Sequence, residues 1–350
     1  MNRILIIKLG SIGDVVHTLS AVATLRQSFP KAEIDWLVEK KSSVVLKCYP
    51  YLNQVIEIDT QKWRRSLWHW KSYKEFWSCL TKLRNRKYDV AFDFQGLWKS
   101  AFFGFLAGAQ NLVGFHKNYL KEPSCRIFYT SKVLPEKNLL HIIEINQELV
   151  RSQEASFSLS KPVEFKVLEK DKVYVNELLE QYQLEDFIIL NPGGGWITKK
   201  WPAKNYGLLH NKIKKLIGIP TVFTWGPGEK NLIEEVQSAS TGEPLLCFPT
   251  TIPQFIALVQ RSRLFIGGDT GPLHLAAACE TPVVGIYGPT NPLRNGPFNP
   301  SDISVFQSVP CGPCYKRTCE KYQCQCMTLI TVDEVFEAVV KRLKNEQLDT

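Results

Sequence analysis

LFIGGDTGPLHLAAACETPVVGIYGPTN, residues 264–291, holds two apolar runs of strand length, Leu264–Gly267 and Val283–Tyr287. Each is stopped by a turn built from Gly, Pro, Asp, Asn or Thr. The small-residue run LHLAAAC between them suits a helix. Continuous apolar strands separated by helices indicate a parallel sheet covered on both faces, because alternation disappears when neither face meets water. Upstream, Phe187–Asn191 runs into PGGG and Thr221–Trp225 into GPGE. Ligands of open α/β sheets bind outside the carboxyl ends of the strands. Four such loops in one stretch of chain predict a ligand crevice there.

The first half shows the same alternation. Arg3–Leu9 ends in GSIG and leads into an apolar helical pattern from Asp14 to Phe29. Ile34–Val38, Val55–Asp59 and Tyr88–Phe94 read as buried strands, with helices near Lys71–Arg86 and Leu97–Leu106. Ser152–Lys161 loses periodicity, is rich in serine and reads as a linker. The 350 residues therefore divide into domains 1–155 and 162–350, which suits the usual domain size. The amphipathic stretch Thr331–Asn345 is expected to be a last helix, packing back on the first domain.

No apolar run approaches the ~20 residues of a membrane helix. The chain enters its first strand without a charged leader or a cleavage site, so a cytoplasmic protein is expected. Charge is one-sided: residues 1–160 carry 23 Lys and Arg against 14 Asp and Glu, whereas residues 161–350 carry 20 of each. A field of that kind points to an anionic partner for the first half, such as nucleic acid, an anionic membrane or a phosphorylated substrate. The excess concentrates in Lys62–Lys87, KWRRSLWHWKSYKEFWSCLTKLRNRK. There Phe76, Trp77, Leu80 and Leu83 follow helical spacing and are expected in the core. Trp63–Trp70 reads instead as an acceptor or membrane loop, since indoles mixed with cations suit a headgroup-level surface.

Three loops carry chemistry. In GGDTGPLH, Asp269, Thr270 and Gly271 sit at a strand end where a helix begins, which presents amides and a positive dipole end to phosphate. Simple N-capping by Asp269 or Thr270 is the bland alternative, but it leaves Gly267, Gly268 and His274 unused. In NPGGGWITKKWP, three glycines allow close backbone approach, and Lys199 or Lys200 can neutralise a diphosphate. In GSIGDVVHTL, Asp14 can act as a general base or cap a helix. His17, three residues on, reads as a surface histidine. GSIGD is not GxGxxG and no GxxxxGK[ST] is present, so nicotinamide and P-loop chemistry lose support.

These pieces, in this order, resemble glycosyltransferase family nine, the ADP-heptose:lipopolysaccharide heptosyltransferases. KLGSIGDVVHTLSAV, DFQGLWKSA at 93–101, GGGWITKKWP and GGDTGPLHLAAAC with TPVVGIYGPTNP carry the likeness. DFQGLWKSA, KEP at 121–123 and HIIEINQEL at 141–149 are more similar to the enzyme adding the first heptose. The resemblance implies a GT-B fold, two Rossmann-like domains whose parallel sheets face a central cleft. It implies ADP-L-glycero-D-manno-heptose as donor, Kdo of Kdo-lipid A as acceptor, and inversion at the anomeric carbon. By position it makes Asp14 the base, with Lys199, Thr198, Thr270, Gly271 and His274 around the donor phosphates and Asp269 near the heptose. Gly194 and Gly195 stand where the family often has phosphate-binding threonines, which leaves backbone contacts. Glu229, one residue off the family's spacing, is the candidate for the ribose. Gly13, Arg64, Arg65 and Lys121 fall on the acceptor side. A monomer without nucleic acid, working at the cytoplasmic face of the inner membrane, follows from the same likeness. A later-acting or different family-nine transferase, or a GT-B nucleotide-sugar epimerase, are the competing readings.

No cofactor is required by this chemistry. Cys311, Cys314, Cys319, Cys324 and Cys326, spaced C-x2-C-x4-C-x4-C-x-C, stand apart from it. They are candidates for a structural zinc or iron–sulfur site, or for reduced, packed thiols.

Overall fold

A computed structural model of the chain describes residues 1–65, 70–155, 163–226, 228–241 and 244–349. The chain divides into two compact units, Met1–Lys166 and Val167–Thr350. The first unit extends past residue 155: Phe165 is buried in it, and the Lys166 amide donates to the Cys48 carbonyl at 2.7 Å. Most of the serine-rich stretch read as a linker lies outside the described residues.

In the first unit, β1 (Arg3–Ile7), β2 (Glu33–Glu39), β3 (Gln54–Ile58), β4 (Val90–Asp93), β5 (Asn111–Phe115) and β6 (Ser131–Val133) form one sheet in the order β3-β2-β1-β4-β5-β6. In the second, β7 (Ile188–Asn191), β8 (Thr221–Phe223), β9 (Leu246–Cys247), β10 (Leu264–Gly268), β11 (Val283–Tyr287) and β12 (Ile303–Phe306) take the order β12-β11-β10-β7-β8-β9. Every pairing is parallel. Both orders are the doubly wound one, and each reverses direction between its first and fourth strands. Ile7 faces Asp93 at one reversal and Asn191 faces Gly267 at the other. Crevices for ligands open at such points.

The central strands are sealed because they are branched and apolar. Ile4, Leu5, Ile6 and Ile7 have no exposed surface, as a strand covered by helices on both faces requires. The helix Ile12–Ser28 begins at Ser11, whose hydroxyl and the Asp14 carboxylate close a capping box. The last helix, Val332–Asp349, packs on the helix Ala203–Leu216 and on β11 and β12. There Arg342 and Asp302 form a buried pair at 2.8 Å. No helix among the described residues is long and apolar enough to cross a membrane.

Four strands escape the sequence reading: β5, β6, β9 and β12. All four lie at or next to a sheet edge and are two to five residues long, too short to build an apolar run. The Lys62–Lys87 stretch also differs from expectation. Leu80 and Leu83 are buried, but Trp77 is 59% exposed. Trp63 lies in a helix, Thr60–Arg65, and packs edge-on against Phe76 at 5.8 Å. Trp68, read with the loop, lies outside the described residues.

Candidate active site

The second unit's switch point brings together side chains from three loops. Lys199 ends a tight turn, Ile197–Lys199, after β7, and Asp269 follows β10. Lys199 Nζ donates to Asp269 Oδ2 at 2.6 Å and to the Asp269 carbonyl at 3.0 Å. Thr290, in the loop after β11, donates to the same Oδ2 at 2.5 Å. His274 Nε2 lies 2.8 Å from Oδ1. Asp269 is 2% exposed. Burial opposes its charge, but the His274 and Lys199 contacts outweigh it and hold the carboxyl well below the usual range. Asp269 therefore stays an anion that orients a lysine, an imidazole and a hydroxyl at once. The sequence pointed to Lys199, Asp269 and His274 separately. Thr290 was missed, because a lone threonine in YGPTNP has no signature.

Thr270 occupies the N-cap position of the helix Gly271–Ala278 without capping it. Its Oγ1 is buried and has no hydrogen-bond partner among the described residues. A buried hydroxyl left unsatisfied is costly, so its place beside the helix's first amides fits a bound anion. The glycine turn is packed close by. A Cβ on Gly194 would lie 3.1 Å from Thr270 Cγ2, and one on Gly268 would lie 2.8 Å from the Lys199 carbonyl.

Three residues expected on the donor side have partners within the protein. The Gly194 amide donates to Glu229 Oε1 at 2.9 Å, so it is engaged within the protein. Glu229 also accepts from the Gly226 amide at 3.0 Å and pairs with Lys200 at 3.3 Å. Its carboxylate ties two loops together here. Thr198 is buried, and its hydroxyl donates to the Lys316 carbonyl at 2.7 Å. Its polar group faces the cysteine-rich segment and is used there. Gly195, by contrast, has open space around it.

At the first unit's switch point, Asp14 Oδ2 accepts from the Ser11 amide and the Ser11 hydroxyl, both at 2.9 Å. Asp14 is thus the third residue of the helix, with Ser11 as its cap. Its carboxylate is pinned by the turn. Leu9 N donates to Gln95 Oε1 at 3.2 Å, and the buried Lys8 donates to the Phe94 carbonyl at 2.7 Å, joining the β1 and β4 loops. Asp93 sets that second loop: it accepts from the amides of Gln95 and Gly96, from Ser100 and from Tyr129. Gly13 is buried. His17 is buried too, against expectation, with its ring 6.2 Å from that of His141. Arg64, Arg65 and Lys121 are exposed. The helix bearing the two arginines starts at Thr60, which shares Glu39 with Lys99. Lys8, Gln95, Lys99 and His141 were not singled out from sequence.

The family model for glycosyltransferase family 9 (heptosyltransferase) matches residues 76–324. The chain belongs to glycosyltransferase family 9. This transferase is 26% identical to lipopolysaccharide heptosyltransferase 1 of Pseudomonas aeruginosa over 323 residues, 91% of this chain and 87% of that one. It is 25% identical to lipooligosaccharide heptosyltransferase 2 of Campylobacter jejuni over 346 residues, 96% of this chain and 97% of that one. Its fold matches E. coli heptosyltransferase WaaC solved with ADP, at a TM-score of 0.77 and 22% identity, covering 97% and 99% of the two chains. The two doubly wound halves are thus those of the GT-B class.

The transferase's cysteine-rich segment is bound to the loops after β7 and β11. Besides Thr198 to Lys316, Tyr315 N donates to the Pro289 carbonyl at 2.9 Å. The Arg317 guanidinium lies 5.0 Å from the Trp196 ring centre. Cys311, Cys314, Cys319 and Cys324 are half-buried and Cys326 is buried, all as free thiols. Among the described residues, no three His, Cys, Asp or Glu gather as a metal cage. Cys319 Sγ accepts from the Cys324 amide at 3.3 Å, and backbone amides lower its thiol from the usual value.

Proposed function

We propose that the protein is an inverting heptosyltransferase of lipopolysaccharide inner-core assembly, with ADP-L-glycero-D-manno-heptose as donor and Kdo of Kdo-lipid A as acceptor. The observation that carries the reading is Thr270's buried, unpartnered hydroxyl at a helix start, next to the Lys199–Asp269 pair. A diphosphate would take that hydroxyl, the Gly271 amide and the Lys199 ammonium together. The likeness to a lipopolysaccharide heptosyltransferase of Pseudomonas and a lipooligosaccharide heptosyltransferase of Campylobacter supports the sugar and the acceptor class. A lipid-borne acceptor implies work at the cytoplasmic face of the inner membrane, by a peripheral monomer.

In this reading Asp14 takes the proton from the acceptor hydroxyl. The oxygen attacks the anomeric carbon from the face opposite ADP, and the bond to the diphosphate breaks with inversion. Lys199, Thr270 and the Gly271 amide stabilise the charge that develops on the leaving group. Asp269 aims Lys199, Glu229 holds the glycine turn, and Gly195 leaves room for the ligand to approach. Arg64, Arg65 and Lys121 meet the acceptor's anionic groups. Protein cations and amides supply the charge, so the reading asks for no cofactor.

The test is ADP release from ADP-heptose with and without Kdo-lipid A, beside Asp14→Ala. Release should depend on acceptor and fall by about 10²–10⁴ in the variant. Equal release by both proteins would end the assignment of Asp14. The similar identity to a heptosyltransferase 2 favours a second reading, a later-acting transferase. An acceptor already carrying one heptose, turned over faster than Kdo-lipid A itself, would establish that alternative.

A further inference from the structure

The first unit carries an aromatic surface that the transfer chemistry does not use. On the helix Trp70–Asn85, Trp70, Tyr73 and Trp77 recur at helical spacing and are all exposed. On the helix Trp98–Ala107, Trp98, Phe102 and Phe105 do the same. The second stripe is gathered around Phe128, whose ring lies 5.1, 6.0 and 5.5 Å from those three. Beside it Ile127 is 67% exposed. The two stripes lie next to each other. Arg84, seven residues after Trp77 and so on the same helix face, donates to the Leu106 carbonyl at 3.0 Å, one residue from Phe105.

Single exposed apolar residues are ordinary, but two adjoining stripes make a contiguous patch, and such patches mark contact surfaces. Cations outnumber carboxylates along its border. Arg84 lies on the Trp77 face and the exposed Arg126 directly precedes Ile127, while Glu122 accepts from the Trp98 amide. Along the other side of the Trp70–Asn85 helix, Lys74 and Lys82 join Lys40 and Lys62 in a groove of about 760 Å³. Its acidic residues are Glu57, Asp59 and Glu75, and Glu75 is paired with Lys62. Large amphipathic rings bordered by Lys and Arg suit the headgroup level of an anionic bilayer. A second copy of the chain suits it poorly, because a symmetric pair would press like charges together.

We infer that these two helices and the Pro123–Phe128 turn form the face by which the protein lies on an anionic phospholipid surface. This deepens the reading of a lipid-borne acceptor and rests on it. Trp77, expected in the core, is exposed and belongs to this face, and the face is shared with a helix that carries no cationic cluster.

The experiment is vesicle flotation with phosphatidylcholine vesicles, with and without phosphatidylglycerol, and with no acceptor present. The wild type should float with the anionic vesicles and release on added salt. Trp77→Ser combined with Phe102→Ser and Phe105→Ser should weaken that partition by about tenfold. Trp77→Phe with Phe105→Leu should restore it, and unfolding curves should show both variants folded. The serine variant should keep full ADP release on a delipidated, soluble Kdo acceptor, which separates docking from transfer. Undiminished flotation of the folded serine variant, no flotation of the wild type, or a wild-type dimer that the substitutions dissociate would each overturn the proposal. Loss of release on the soluble acceptor by the wild type would instead count against the transferase reading and leave the docking face standing.

Discussion

A Cβ on Gly10 would lie 2.4 Å from Asp14 Oδ2, so the turn that aims the carboxylate tolerates no side chain there. Gly10→Ala must push Asp14 aside or open the Ser11 capping box. Misplacing a reacting group by about 1 Å can cost ~10²-fold in rate, and kcat should fall on that scale while ADP affinity holds. An alanine variant with wild-type kcat would show that the pinned position of Asp14 is not the reactive one. Asp269 makes a second residue-level argument. Its folded carboxyl is held below the unfolded value, so its stabilisation is complete above about pH 4 and is lost as pH falls through that range toward the folded value. Asp93 and Asp302 are pushed up, chiefly by burial, and pull the other way. Comparison with Asp269→Asn removes them, since both proteins keep them. The wild type should exceed the variant by roughly 3 kcal/mol at neutral pH, with the gap closing in acid; urea unfolding at several pH values measures it. A gap independent of pH would mean that the Lys199 and His274 contacts are not what stabilises the site. Asp14, Lys199, Asp269 and His274 were all legible in the sequence, because each sits in a glycine-bearing turn at a strand end. Thr290, Gln95 and Lys8 were not, since the contacts that place them join loops which only the register of neighbouring strands brings together.

At the scale of elements, the cysteine-rich segment braces the loops after β7 and β11, and this role is testable without reference to metal. Thr198→Val keeps the buried shape and removes the hydroxyl that holds the Lys316 carbonyl. Losing one buried hydrogen bond costs ~1 kcal/mol or more. If the brace sets the Lys199 turn, donor KM should rise about fivefold by that measure, with kcat little changed. A fall in kcat at constant KM would place Thr198 in the reaction itself. Central strands were readable because burial on both faces leaves an uninterrupted apolar run. Edge strands such as β9, only Leu246–Cys247, have no run to read. The Trp77 misreading has another physical source. Helical spacing reports that a face is apolar, and an apolar face can be turned outward as well as into a core.

For the whole molecule, the parallel doubly wound architecture was visible in the strand–turn–helix alternation. That the two units share one strand order was not, since order depends on the short edge strands. The shared order gives each unit its own switch point: Asp14 stands at one, and Lys199 and Asp269 at the other. Each of these clusters is tied by hydrogen bonds within its own unit. Donor binding should therefore be separable from base catalysis. By titration calorimetry, Asp14→Ala should bind ADP within about twofold of wild type, a difference under ~0.5 kcal/mol. Lys199→Ala removes a charge from the proposed diphosphate site and should weaken binding by roughly tenfold or more. Lys199→Ala also takes a partner from the buried Asp269 and should melt below wild type, but Thr290 and His274 still hold Asp269, so titration well below the melting range reads the affinity of folded protein. If Asp14→Ala instead loses ADP affinity as Lys199→Ala does, the nucleotide draws on both units, and assigning donor and acceptor to separate halves is wrong.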